Sequence, residues 1–131
     1  MIKTQRYLNP KTRDAIFALG YPKEVEAEVS DGHKMRLPIT SILYQDALFW
    51  LLTEHKVSLR INHSETFVDK PWFFDFKDID NGYYDDSLDC CSFLDEYGWF
   101  ADYKDAMDAG ILAICEYLKK KSTVTENSLS I

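Results

Sequence analysis

The sequence predicts an α+β domain: a small, mainly antiparallel β-sheet packed against two principal helices, about 41–54 and 103–120, with a short N-terminal helix. Three patterns carry this. Apolar and polar residues alternate with period two over 24–37, around a turn, and again over 57–61. Residues 47–52 form an unbroken apolar run of helix formers and aromatics. Residues 102–118 place apolar side chains at helical spacing behind an aspartate cap.

Taken in order, Asn9-Pro10 opens the first helix, because Asn can cap it and Pro suits its first turn. Ala15, Ile16 and Leu19 share a face, and Gly20 with Pro22 ends it. Val25, Ala27 and Val29 then alternate with Glu24, Glu26 and Glu28. Ser30-Asp31-Gly32 turns the chain and Met35-Arg36-Leu37 alternates again, so 24–37 reads as a β-hairpin. Pro38 closes it, and Thr40 or Ser41 is the expected cap of the next helix. That helix is apolar almost all round at Ala47 to Leu52, which requires deep burial or a covered second face.

Val57, Leu59 and Ile61 predict a third strand, and Trp72 to Phe76, after the turn-prone Asp69-Lys70-Pro71, a fourth. Asp78 to Asp86, with Asn81-Gly82, reads as a loop or hairpin tip. Leu88 to Phe100 suits helix by its Leu88, Cys91, Leu94 spacing and strand near Gly98-Trp99-Phe100. Asp102 caps the last helix, along which Ala106, Met107, Gly110, Ile111, Ile114 and Leu118 recur. Lys119 to Lys121 complement its dipole, and 122–131 reads as a polar, flexible tail after a single globular unit over 1–121.

At 131 residues, 46% hydrophobic and 28% charged, the chain suits one domain with its own core. Met1 to Leu8 contains basic residues without an apolar stretch and does not read as a secretory signal. No run approaches the length of a membrane span, so no membrane partner is expected. Three cysteines, two of them adjacent, do not form a disulfide framework, and a cytoplasmic location is expected.

The formal net charge of −7 argues against direct nucleic-acid binding. It is unevenly placed. Residues 1–74 carry ten Lys/Arg against nine Asp/Glu, a net +1, whereas residues 75–108 carry two against eleven, a net −9.

The Tyr44-Gln45-Asp46-Ala47 helix runs through Trp50-Leu51-Leu52 and Glu54-His55 into Val57-Leu59-Ile61, and much later Phe100-Ala101-Asp102-Tyr103-Lys104-Asp105-Ala106 leads into Ala109-Gly110-Ile111. This arrangement, over about 40–118, resembles small uncharacterised proteins of bacterial phages, prophages and other mobile elements. The resemblance implies a mobile-element origin and supplies no reaction, cofactor or catalytic residue. In this sequence Leu52-Thr53 stands where that group is more charged, and residues 1–39 lie outside the similarity.

The chemistry-bearing residue types are scattered. His33, His55 and His63 have no zinc-site spacing, and setting Gly82 at the sixth position of an EF-hand loop puts Lys77, Ile79 and Leu88 where oxygen ligands are required. An irregular calcium site among the aspartates stays open. Cys90-Cys91 lies among acidic residues that oppose a thiolate, and Cys115 falls on the core face of its helix. The five glycines are isolated, so no phosphate loop is formed. No catalytic, cofactor or metal residue is assigned, and a non-enzymatic protein is expected.

Three functions follow as expectations. Consecutive Trp72-Phe73-Phe74 cannot all face one side of a strand. With the apolar run of the second helix, this makes Phe49, Trp50, Trp72, Phe73 and Phe74 the expected interface for a protein partner or a second copy in a homodimer. Asp78, Asp80, Asp85, Asp86 and Asp89 would form the acidic surface of a decoy for a basic, nucleic-acid-binding protein, provided they share one exposed face. A small-molecule or enzymatic domain with an unrecognised site is the third.

Overall fold

The computed structural model describes residues 7–65, 69–90 and 98–129, with side chains as far as Ser122. Its elements are α1 (Pro10–Ala18), β1 (Glu24–Ser30), β2 (His33–Pro38), α2 (Tyr44–His55), β3 (Val57–His63), β4 (Trp72–Asp78), β5 (Tyr83–Asp86), the short α3 (Ser87–Cys90) and α4 (Tyr103–Leu129). This is an α+β fold, but its strands form two sheets instead of one: the β1–β2 hairpin and an antiparallel β3–β4–β5 sheet.

The three-stranded sheet organises the domain. Its registry pairs Leu59 with Phe76 and Ile61 with Phe74, so these four side chains share one face. On α4, Met107, Ile111, Ile114 and Leu118 recur at one face of the helix and meet them there. Ile16 of α1 and Ala47 and Leu51 of α2 complete the core. Ile16, Leu51, Phe74, Ile111 and Ile114 are fully buried, each stabilising the fold by about 1.5–3 kcal/mol before entropy is counted. The other sheet face is polar apart from Phe73. There Asp75 is buried and accepts hydrogen bonds from Arg60 (2.9 and 3.1 Å) and from Asn62 (2.7 Å).

The close fit of α4 requires Gly110. A Cβ there would lie 2.8 Å from Leu59 Cδ1 and 3.2 Å from Phe74 Cγ, so the helix backbone rests directly on the sheet. Gly98 serves a different approach: its φ is +87°, and a Cβ would stand 1.9 Å from the Ser87 carbonyl oxygen. From there Phe100 exchanges backbone hydrogen bonds of 2.8 and 3.1 Å with Trp72, extending β4 for one residue pair.

A buried carboxylate ties the helices together. Asn9 caps α1 by accepting from the Thr12 amide at 2.9 Å and from the Thr12 hydroxyl at 2.8 Å. The Asn9 amide in turn donates to Asp108 Oδ1 (3.1 Å), while the Tyr44 hydroxyl (2.7 Å) and the Lys104 ammonium (2.9 Å) donate to Oδ2. One side chain on α4 thereby anchors the starts of α1 and α2. Burial, and then the Asp108 hydrogen bond and charge, push the Tyr44 phenol well above its ordinary pKa.

Several expectations need correcting. The second helix begins at Tyr44 with Leu43 as an N-cap that makes no side-chain bond, not at Thr40 or Ser41. Residues before it are held extended: the Leu8 amide donates to the Ile42 carbonyl (2.9 Å), and Tyr7 bridges Leu43. Of the two readings of 78–86, loop or hairpin tip, the structure has the hairpin: Asn81-Gly82 lies in the turn between β4 and β5, and Tyr83–Asp86 is strand. Helix α4 continues to Leu129 instead of ending near 120, so helical backbone occupies much of the stretch expected to be a tail. Ser87 to Cys90 is helical, while residues 91–97, including Cys91 and Leu94, lie outside the described residues.

Three substitutions test this packing by chemical denaturation. Gly110→Val is expected to reduce unfolding free energy by about 1–3 kcal/mol, through overpacking against Leu59 and Phe74. Asp108→Ala is expected to cost about 3 kcal/mol, because it strands the Lys104 charge and two further donors. Tyr44→Phe, which removes one donor only, should cost about 1 kcal/mol.

Candidate functional site

The β1–β2 hairpin stands apart from the core. Antiparallel pairing sets Val25 opposite Leu37 and Ala27 opposite Met35, with Glu26 opposite Arg36 and Glu28 opposite Lys34. Since directly opposed residues share a face, one face is apolar and the other charged. The charged face is satisfied within the hairpin: Arg36 pairs with Glu24 at 2.8 Å and Lys34 approaches Glu26 at 3.9 Å. The apolar face is bare. Val25, Val29 and Met35 are each at least half exposed and Leu37 is 37% exposed. Beyond incidental contact, no other described helix or strand packs on either strand.

The hairpin emerges from short, stiff junctions. Tyr21-Pro22 leads in, Pro38 leads out, and the Ile39 amide closes the base by donating to the Lys23 carbonyl at 2.7 Å. Tyr21 anchors this base with a T-shaped contact to Trp50 at 5.3 Å. An isolated two-stranded hairpin is marginal in water, so an exposed apolar face on one is an unsatisfied part of the fold.

The sequence-predicted interface residues do not come together. Phe49 is 68% exposed on the outer side of α2, beside Leu52 one turn on. Trp50 is half-buried between Tyr21 and His55. Trp72 is half-buried and makes edge contacts with His63 and Tyr103. Phe74 is fully buried beneath α4 and has no surface to offer, because the pleat points it at the core. Phe73 turns to the opposite sheet face, as alternation demands, where Trp99 covers it at 5.1 Å. The apolar hairpin face, with Val25, Met35 and Leu37 exposed around a half-buried Ala27, shares no residue with the expected interface. Period-two alternation identifies an apolar face without saying whether the domain reaches it.

The acidic set is divided as well. Asp78 is fully buried on the α4 face, where Tyr117 (2.7 Å) and Lys121 (2.8 Å) donate to Oδ2, so it belongs to no exposed surface. Asp80 is exposed in the β4–β5 turn. Asp85, Asp86 and Asp89 bring one carboxylate oxygen each within 4.8 Å of the others. Their hydrogen bonds are local. Asp86 accepts from the Asp89 amide at 3.0 Å, and Asp85 accepts from the Tyr83 hydroxyl and the Asp86 amide. This is the geometry of a turn entering α3.

Two clefts flank α4. One, of about 640 Å³, is lined by Ala18, Leu19, His55, Cys115 and Leu118, residue types that could make a thiol–imidazole nucleophile. Their electrostatics oppose it. Burial, with Glu116 adding, pushes the Cys115 thiol up to about 12, and burial is the main cause that lowers His55. Both groups are therefore neutral at neutral pH, and no thiolate forms. The other cleft, of about 550 Å³, has Phe76, Ala113 and the stacked rings of Tyr83 and Tyr117 on its walls. Burial first, then neighbouring aspartates, raise both phenols, so neither supplies a base.

Asp78 gives a pH dependence whose sign can be worked out. Burial alone would raise its pKa, but the hydrogen bonds from Lys121 and Tyr117 outweigh burial and lower it. The Asp80 amide also favours the anion, although Oδ1 itself makes no hydrogen bond. A folded pKa below the unfolded one stabilises the fold above the unfolded value, near 4, and that contribution is lost as pH falls through the folded value. Urea midpoints measured from pH 6 to pH 3 are expected to fall, and Asp78→Asn to flatten that fall. At neutral pH the same variant should cost about 1–3 kcal/mol.

Among the described residues no helix is long and apolar enough to cross a membrane. Comparison with protein-family models, with curated proteins and with solved structures finds no match to this chain.

Proposed function

We propose that this chain is a non-catalytic binding protein whose working surface is the apolar face of the β1–β2 hairpin, and whose partner is a protein surface that is itself apolar and uncharged. One observation carries the reading: Val25, Ala27, Met35 and Leu37 form a charge-free face on a hairpin that the described domain leaves uncovered. A charged partner would be desolvated there without a counter-charge, whereas an apolar one gains about 25 cal/mol per Å² of apolar surface removed from water. The stiff base at Pro22 and Pro38 holds the hairpin ready, which limits the ordering entropy lost on binding. The two clefts support catalysis less well, since Cys115 and His55 in one and Tyr83 and Tyr117 in the other are held neutral.

Site-specific photo-crosslinking in the cell of origin separates the two hairpin faces. A photoreactive side chain at Met35 should yield a discrete protein adduct, and the same group at Arg36, one residue along on the charged face, should yield none. Equal labelling from both positions, or no adduct from either, would overturn the assignment.

A further inference from the structure

We infer that Asn81-Gly82, in the β4–β5 turn, is a self-acting covalent modification site, and that the docking of α4 on that turn gates it. The pair is the only Asn-Gly in the sequence. Gly82 is there for conformation: its φ is +76°, which suits the reversal from β4 into β5, and nothing lies within 4 Å of where its Cβ would be. The same absence leaves the Gly82 amide nitrogen unshielded beside the Asn81 carboxamide, on an exposed turn. In the reaction the Gly82 nitrogen bonds to Asn81 Cγ, the Cγ–Nδ2 bond breaks, and ammonia leaves with the proton that the nitrogen gave up. Water then opens the succinimide ring, giving aspartate or isoaspartate at position 81. Other asparagines are placed differently. Asn9 precedes Pro10, which has no amide proton to lose, and Asn62 is held in β3 by its bond to Asp75.

Three hydrogen bonds restrain the reacting groups. The Gly82 amide donates to the Asp78 carbonyl at 2.8 Å, so the nucleophile's proton is engaged. Asn81 Oδ1 accepts from the Tyr83 amide at 2.9 Å, and Asn81 Nδ2 donates to the Tyr117 hydroxyl at 3.1 Å. That last bond crosses from the turn to α4. Tyr117 is itself fixed by donating to buried Asp78 at 2.7 Å, where Lys121 also donates at 2.8 Å. Lifting this part of α4 frees the carboxamide to rotate toward the Gly82 nitrogen. The consequence runs one way. A carboxylate at position 81 faces a phenol that already donates to Asp78, with exposed Asp80 adjoining and Asp78 Oδ1 already without a hydrogen bond. The lost donor and the added charge both oppose re-docking. Isoaspartate also lengthens the backbone inside the turn and disturbs the pairing of Asp78 with Tyr83. The turn thereby records the time that α4 has spent released from it.

Incubation of the full chain at mildly alkaline pH, followed by peptide mapping with mass spectrometry, tests the gate. Position 81 should convert several times more slowly in the folded chain than in the same chain held unfolded in urea. This comparison uses the unmodified chain and does not depend on any variant folding. Tyr117→Phe, which removes the bond to Asn81 and the bond to Asp78, should speed conversion of the folded chain roughly fivefold or more, the population change that follows the loss of one hydrogen bond. Tyr44→Phe removes a comparable phenol–carboxylate bond near the start of α4 and should leave the rate close to that of the unmodified chain. Circular dichroism under the same conditions establishes that each variant is folded. Asn81→Asp, which carries the product side chain, should lower the urea midpoint. Equal conversion in folded and unfolded chains, no acceleration by Tyr117→Phe, or equal acceleration by both tyrosine variants would overturn the gate. An unchanged midpoint for Asn81→Asp would overturn the one-way consequence.

Discussion

The missing side chain at Gly110 sets the distance between α4 and the sheet, and with it the shape of the core. Because the helix backbone lies directly on Leu59 and Phe74, the rows on either side, Met107 with Ile111 and Ile114 with Leu118, reach down past the contact and bury against β3 and β4. The remaining helices are fitted to that pair of layers. α1 packs on α4, α2 packs on β3, and each contributes a buried residue, Ile16 and Leu51, to a core lying on one side of the three-stranded sheet.

Carboxylates hold α4 at both ends of this contact. Asp108 gathers donors from Asn9, Tyr44 and Lys104 near its start, and Asp78 on β4 takes Tyr117 and Lys121 further along. Both sites are buried, so an unpaired partner would be costly, and that cost makes them specific. They orient the layers more than they attract them. The acidity of residues 75–108 is consequently not one surface: part of it, Asp75, Asp78 and Asp108, is structural and buried. A decoy surface would have to be built from the exposed remainder.

The hairpin obeys none of these constraints. It has a sheet's alternation, a turn with Asp31 and Gly32 at positive φ, and a charged face with two ion pairs, yet no described layer lies against its apolar side. Among the described residues the core is closed around α4, and no described helix packs over the hairpin. The face that the described residues leave open is free of charge.

Local order was legible in the residues themselves. Asn9-Pro10, the Glu-rich alternation of 24–29, the Val57-Leu59-Ile61 strand and the Asp102-capped helix follow from capping, pleat and helical period, which act within a few residues. The pleat of a strand likewise separates Phe73 from Trp72 and Phe74, because successive side chains point to opposite faces. Tertiary structure alone decided the rest. Whether Thr40 or Leu43 precedes α2 depended on the N-terminal segment pairing with Ile42. Asp78 became a buried anchor because Lys121, forty-three positions away, reaches it, and Asp80 two residues on stayed in water. The same alternation put Leu59 against α4 and Met35 in solvent. A strand's pattern specifies that one face is apolar, and only the placement of the other layers determines what that face meets.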